Sequence, residues 1–209
     1  MDAIKIYDKL LKHFGKQYWW PAETPFEVIV GAILTQQTTW RNVEKAIDNL
    51  KNNNLMTPGA IANAPLETIE KAIYPSGFYK QKALRIKKIS EYLSNNYNGN
   101  LDEFFSRDTM DVRKELLELD GVGFETADSI LLYAGNKEIF VIDAYTRRMC
   151  KCKNIGGDYE TLRCLFEENL PIDVEIYKEY HALIVELWKH YCKNKPDCER
   201  CPLNTPELK

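Results

Sequence analysis

With 209 residues, 44% of them hydrophobic and 28% charged, the chain has enough apolar material for one large core or two small lobes, and too little charge to remain disordered. A formal net charge of −3 advertises no polyanionic partner, so any contact with nucleic acid has to come from local patches. The longest apolar runs, 28–34 and 130–134, fall far short of the ~20 residues of a membrane span, and the opening MDAIKIYDKLLKHFGK lacks the apolar core and cleavage site of a signal peptide. These readings predict a cytoplasmic protein.

Helical periodicity dominates in chain order, and strand-type alternation is scarce. Amphipathic stretches cover 4–14, 26–34, 42–50, 66–73, 81–93, 112–119, 125–134 and 159–169. The clearest helix comes last, in EIYKEYHALIVELWKHYC. There Ile176, Tyr177, Tyr180, Leu183, Ile184, Leu187, Trp188 and Tyr191 recur at three- and four-residue intervals and make one apolar stripe. Turn chemistry separates the stretches at Thr57-Pro58-Gly59, Pro75-Ser76-Gly77, 95–100, Gly121-Val122-Gly123 and Gly156-Gly157. With no internal repeat and no long linker, the prediction is an all-α body of many short helices.

Four features carry chemistry. Gly121 and Gly123 bracket a turn that opens a helix, so bare backbone and unpaired N–H groups can approach an anion, although a ligand-free helix connection has the same pattern. In FVIDAYTRR an apolar lead delivers Asp143 to the start of a helix, where it can act as an N-cap, as a working carboxylate, or as both. Trp19-Trp20-Pro21 places two indoles that cannot share a helix face before a proline that favours extended backbone; each is either core or a stacking surface. Of the six cysteines, Cys192, Cys198 and Cys201 crowd into one tail, which in a reducing compartment reads as a metal site before it reads as disulfides.

The hairpin LxGVGxxTA followed by VxDxxxxR resembles the helix-hairpin-helix, glycine/proline-rich-loop-and-aspartate (HhH-GPD) superfamily of DNA glycosylases, the endonuclease III group. The motifs WWP, LTQxTxW, SGFYxQKAxR and GVGxETADxIxxYA look most like its 3-methyladenine DNA glycosylase branch. The resemblance implies a two-lobed, all-α fold with a cleft between the lobes. One lobe is a six-helix unit at 21–133 carrying the hairpin, and the other is formed by 1–20 with 134–209. It implies that Asp143 is catalytic, stabilising an oxocarbenium-like transition state and helping to activate water. It places Trp19, Trp20, Pro21 and Trp40 as pocket walls, Glu125 at the pocket edge and Lys189 nearby. Gln36 becomes the wedge that enters the DNA stack, and Gly121 and Gly123 become contacts to the duplex. Separately, the basic stripe of 76–88, SGFYKQKALRIKK, with Lys80 and Lys82 on it, and Arg147 beyond it can bind backbone phosphate, although lysines at helical spacing also make a solvated face.

Lyase-competent relatives carry a nucleophilic lysine where this chain has Glu125, which cannot form a Schiff base, so the resemblance implies a monofunctional glycosylase using water. The expected substrate is an alkylated purine in double-stranded DNA, bound by a monomer associated with the nucleoid; the alternatives are a mismatched or oxidised pyrimidine, such as thymine or uracil opposite guanine, and a non-catalytic binder of damaged DNA. The cysteine tail, C-x5-C-x2-C, resembles the family's 4Fe–4S loop with a shortened first gap and Glu207 where the fourth cysteine would fall. Three thiolates can hold a cluster completed by a carboxylate, water or a distant cysteine. They can also hold zinc, or form a loop without metal.

Overall fold

The computed structural model describes residues 2–193 and 195–205. Among the described residues twelve α-helices follow one another: α1 (Ala3–Phe14), α2 (Pro25–Leu34), α3 (Trp40–Asn52), α4 (Pro58–Asn63), α5 (Leu66–Ile73), α6 (Tyr79–Tyr97), α7 (Leu101–Ser106), α8 (Thr109–Leu117), α9 (Phe124–Ser129), α10 (Ala144–Cys152), α11 (Tyr159–Glu168) and α12 (Val174–Leu187). Both α9 and α12 continue into a wider, π-type turn, at Ile130–Ala134 and Trp188–Cys192. No strand occurs among the described residues, and among them no helix is long and apolar enough to cross a membrane.

Short polar side chains start these helices. Thr24, Thr57, Asn100, Asp108, Asp158 and Asp173 each accept a backbone N–H from the first turn that follows, satisfying donors the helix leaves open. The same chemistry explains where the helices depart from the sequence reading. Thr57-Pro58-Gly59, read as a turn, is the capped start of α4, with Pro58 in the first turn, where its missing N–H goes unused. Helix α6 runs past residue 93 to Tyr97 and stops where Asn98 adopts left-handed backbone, φ 51°.

The chain forms two compact units, Ala22–Gly135 and Met1–Pro21 with Asn136–Lys209. In the first, α2 is buried along its whole length from Phe26 to Leu34 and packs against α3, α6 and the Ile130–Ala134 turn. Between α8 and α9 an ion pair is buried: Arg113 Nε donates to Asp128 Oδ1 at 2.6 Å and Nη2 to Oδ2 at 3.1 Å, with Asp128 0% exposed. In the second unit α1 and α10 both pack on α12. Its core is aromatic, with Phe140 stacked on Phe166 at 4.3 Å and 5°, and Tyr177 and Tyr180 edge-on to Phe140. Burial drives the Tyr180 hydroxyl pKa well above its ordinary value.

Candidate functional site

In the unit built from both ends of the chain, Ile139, Phe140, Val141 and Ile142 are all buried and lie outside any helix. Side chains satisfy part of this backbone: Phe140 N–H donates to Glu167 Oε1 at 2.9 Å and Ile142 N–H to the Tyr159 hydroxyl at 3.3 Å. This anchored segment delivers Asp143 to the N-cap of α10, where Oδ1 accepts the Thr146 N–H at 2.6 Å. The other carboxylate oxygen stands 3.3 Å from Nε2 of His181 on α12. Asp143 is only 7% exposed. Burial pushes its carboxyl pKa up, but the His181 imidazole and the Thr146 amide outweigh burial and hold it below the usual carboxylate range. The group is therefore ionised at neutral pH although buried.

His181 links that carboxylate to the tryptophans. Its ring lies 5.7 Å from the Trp19 ring, and Trp19 stacks on Trp20 at 5.5 Å and 25°. Both indoles are partly exposed, as a surface open to a ligand requires, and Pro21 beside them is exposed. The sequence reading did not single out His181. Its signal was a histidine inside the buried run of EYHALIVEL, where only a nearby polar partner makes such a residue comfortable. Lys189 is exposed and bonded to Glu186 at 2.6 Å, one turn back along the helix.

In the other unit, Gly121 has φ +81°, and a Cβ there would lie 2.0 Å from Nε of Arg85, so the turn and the packing of Arg85 both favour glycine. Gly123 caps α9, and Glu125 is exposed in its first turn. Gln36 departs from its expected role. Its Nε2 donates to Gly121 O at 3.3 Å and to Thr126 Oγ1 at 3.1 Å, while Oε1 accepts from Arg85 at 2.6 Å, so this side chain braces the hairpin. The exposed neighbour Gln37, in left-handed backbone at φ 54°, is the glutamine available to a ligand. The pattern QQ does not tell the two apart.

Lys82 is a second correction. It is 1% exposed, with Nζ donating to Leu34 O and Ser76 O at 2.8 Å each, and burial, followed by the charge of Arg85, lowers its amine pKa to about 8. It ties the end of α2 to the turn before α6 and cannot reach a phosphate; helical spacing alone gave it the same standing as its exposed neighbour Lys80. Arg147 is exposed and lies over the Tyr159 ring at 5.6 Å. Trp40 is partly exposed and donates to Glu44 at 2.9 Å.

Cys192, Cys198 and Cys201 are free thiols, as are Cys150, Cys152 and Cys164. Among the described residues no three His, Cys, Asp or Glu side chains stand close enough to hold a single metal ion. An all-thiol donor group suits zinc and an iron–sulfur cluster alike. Glu207 lies outside the described residues.

An all-helical body with a glycine hairpin, leading to a buried, capped aspartate, defines an HhH-GPD glycosylase. Residues 30–170 match the HhH-GPD superfamily of base excision DNA repair proteins, and the chain belongs to that family. A protein of Methanocaldococcus jannaschii that carries the name of a DNA repair glycosylase is 50% identical over 204 residues, 95% of this chain and 92% of its own. The crystal structure of an H. pylori 3-methyladenine DNA glycosylase bound to 1,N6-ethenoadenine is similar at a TM-score of 0.79 and 30% identity, covering 90% of this chain and 98% of that one. Endonuclease III in a non-covalent complex with DNA gives a TM-score of 0.80 at 25% identity, over 96% and 91%. The protein is accordingly a DNA glycosylase of base excision repair.

Proposed function

We propose that this glycosylase removes alkylated purines of the 3-methyladenine and 7-methylguanine type from double-stranded DNA, by water attack and without a covalent enzyme intermediate. The observation that carries the reading is the chain of contacts from the ionised Asp143 through His181 to the stacked Trp19 and Trp20. An N3- or N7-alkylated purine is already cationic. It therefore leaves without a strong general acid, and electron-rich indole faces hold it better than a neutral base, by roughly 1–2 kcal/mol when desolvated.

As the bond from C1′ to the base nitrogen breaks, positive charge develops on the sugar. The Asp143 carboxylate, held in one orientation by the Thr146 N–H, stabilises that charge. Water then adds at C1′ and gives up a proton, leaving the free base and an abasic site. Glu125 in place of the lyase lysine supports this route, because a carboxylate cannot become an imine. For the DNA grip we infer Gly121 and Gly123 at the hairpin, Lys80 and Arg147 on the phosphates, and Gln37 rather than Gln36 entering the stack. For the cofactor we infer a structural 4Fe–4S cluster on the Cys192, Cys198 and Cys201 thiolates, which would cross-link the C-terminal loop.

The test is base release from matched duplexes carrying 3-methyladenine, 7-methylguanine, thymine opposite guanine or uracil opposite guanine. Release of the methylated purines alone is expected, with no protein–DNA adduct after borohydride. Release of thymine or uracil with the methylpurines untouched would reverse the substrate assignment, and a borohydride-trapped adduct would remove the water route.

A further inference from the structure

The cysteine loop has three thiols where a cubane needs four ligands, and the position that completes the pattern is a glutamate. We propose that Cys152, the last residue of α10, supplies the fourth thiolate of a 4Fe–4S cluster whose other ligands are Cys192, Cys198 and Cys201. This inference rests on the cluster reading above and identifies its missing ligand.

Placement carries the argument. The end of α10 is tied to the cysteine loop by Lys153, adjacent to Cys152, whose Nζ donates to Leu203 O at 2.6 Å. Leu203, two residues beyond Cys201, is buried. The loop is held in turn by the Asp197 N–H on Tyr191 O and the Asn204 N–H on Cys201 O, both at 2.9 Å. The four thiols also lie within electrostatic reach of one another. The thiols of Cys201, Cys152 and Cys198 all lie close enough to Cys192 to act on it electrostatically, and those of Cys198 and Cys152 do the same to Cys201. Cys164, exposed on α11, and Cys150, buried, have no part in that set.

The charge around Cys152 suits the ligand. An open recess beside it is lined by Ala144, Arg147, Arg148 and Lys151, and four thiolates on a cubane give an anionic centre that such cations stabilise. Loading exchanges four S–H bonds for four S–Fe bonds and releases four protons to solvent, with no electron transferred to the protein. A cluster held this way would fasten the C-terminal loop to the helix that starts at Asp143, so its iron would brace the catalytic N-cap from the far end of the same helix.

The experiment uses the full chain, purified without oxygen after growth with added iron. Iron and acid-labile sulfide per chain are measured, with the visible absorption band. Wild type should carry about four of each, as a 4Fe–4S cluster requires. Cys152→Ser should lower iron at least about twofold, as far as Cys198→Ser does, while Cys164→Ser and Glu207→Ala leave it at the wild-type level. To separate lost ligation from misfolding in Cys152→Ser, a Cys152→Ser/Glu207→Cys double variant is included, and restored iron in it shows that a ligand was lost. Full iron in Cys152→Ser, or iron loss in Glu207→Ala, overturns the assignment of Cys152 while leaving the cluster. A wild-type chain that holds zinc or no iron overturns the cluster reading itself.

Discussion

Asp143 serves both as helix cap and as the proposed catalytic group, and one pair of substitutions separates the two roles. Asparagine keeps an oxygen where Oδ1 accepts the Thr146 N–H at 2.6 Å, and asparagine and aspartate are nearly equal at N-cap positions. Asp143→Asn also removes a buried charge, which relieves desolvation, while losing the Coulomb partner of His181 at 3.3 Å. These opposing changes should leave stability within about 1 kcal/mol of wild type, a Tm shift within about 2–4 °C for a chain of this size. Asp143→Ala loses the cap as well and should sit about 1 kcal/mol lower again. Catalysis responds differently, because the charge opposing the developing cation is gone in both variants. A single preorganised electrostatic group is worth about 10²–10³ in rate. Single-turnover release of methylated purine should therefore fall at least about 10²-fold in both, whereas thermal melts separate them. Release by Asp143→Asn within tenfold of wild type, in a protein that melts normally, would refute the catalytic assignment.

Other outcomes follow from the same geometry. His181 draws the Asp143 carboxyl downward, so His181→Asn should move the acid limb of the release profile to higher pH and slow release by up to about 10²-fold through lost positioning, with a normal melt; an unmoved acid limb would dismiss the contact. Arg113→Ala strands the fully buried Asp128 and should destabilise by about 3–5 kcal/mol, a fall of roughly 6–20 °C in Tm, which Arg113→Met/Asp128→Leu should largely recover. Glu115 accepts from Arg107, Tyr92 and Tyr97, and Arg107 foremost holds its carboxyl at about 2 against an ordinary 4.5. Because the folded-state value is depressed, its stabilisation is present above about pH 4.5 and lost as pH falls toward 2. Urea midpoints measured across that range should drop more steeply in wild type than in Glu115→Gln.

Local chemistry was legible in the sequence, and contact across sequence distance was not. Helix content, the glycine hairpin and the capped Asp143 each depend on a few adjacent residues, so periodicity and cap chemistry were enough to place them. Lys82 and Lys80 look alike on a helical stripe, yet one is buried on two carbonyls and the other is exposed, a distinction set by the end of α2, 48 residues upstream of Lys82. Gln36 and Gln37 were indistinguishable for the same reason, since the hairpin that selects between them begins 85 residues later.

His181 is the most instructive omission. A histidine in an apolar helix face has no chemistry of its own until the fold supplies a partner, and here the partner is the one carboxylate that family resemblance had already named. Burying Asp143 without it would raise the carboxyl toward its neutral form, and a protonated acid cannot stabilise a cationic sugar. The charge on Asp143, and with it the proposed chemistry, therefore depends on packing between α10 and α12, two helices that are separate in sequence and whose association no local motif specifies.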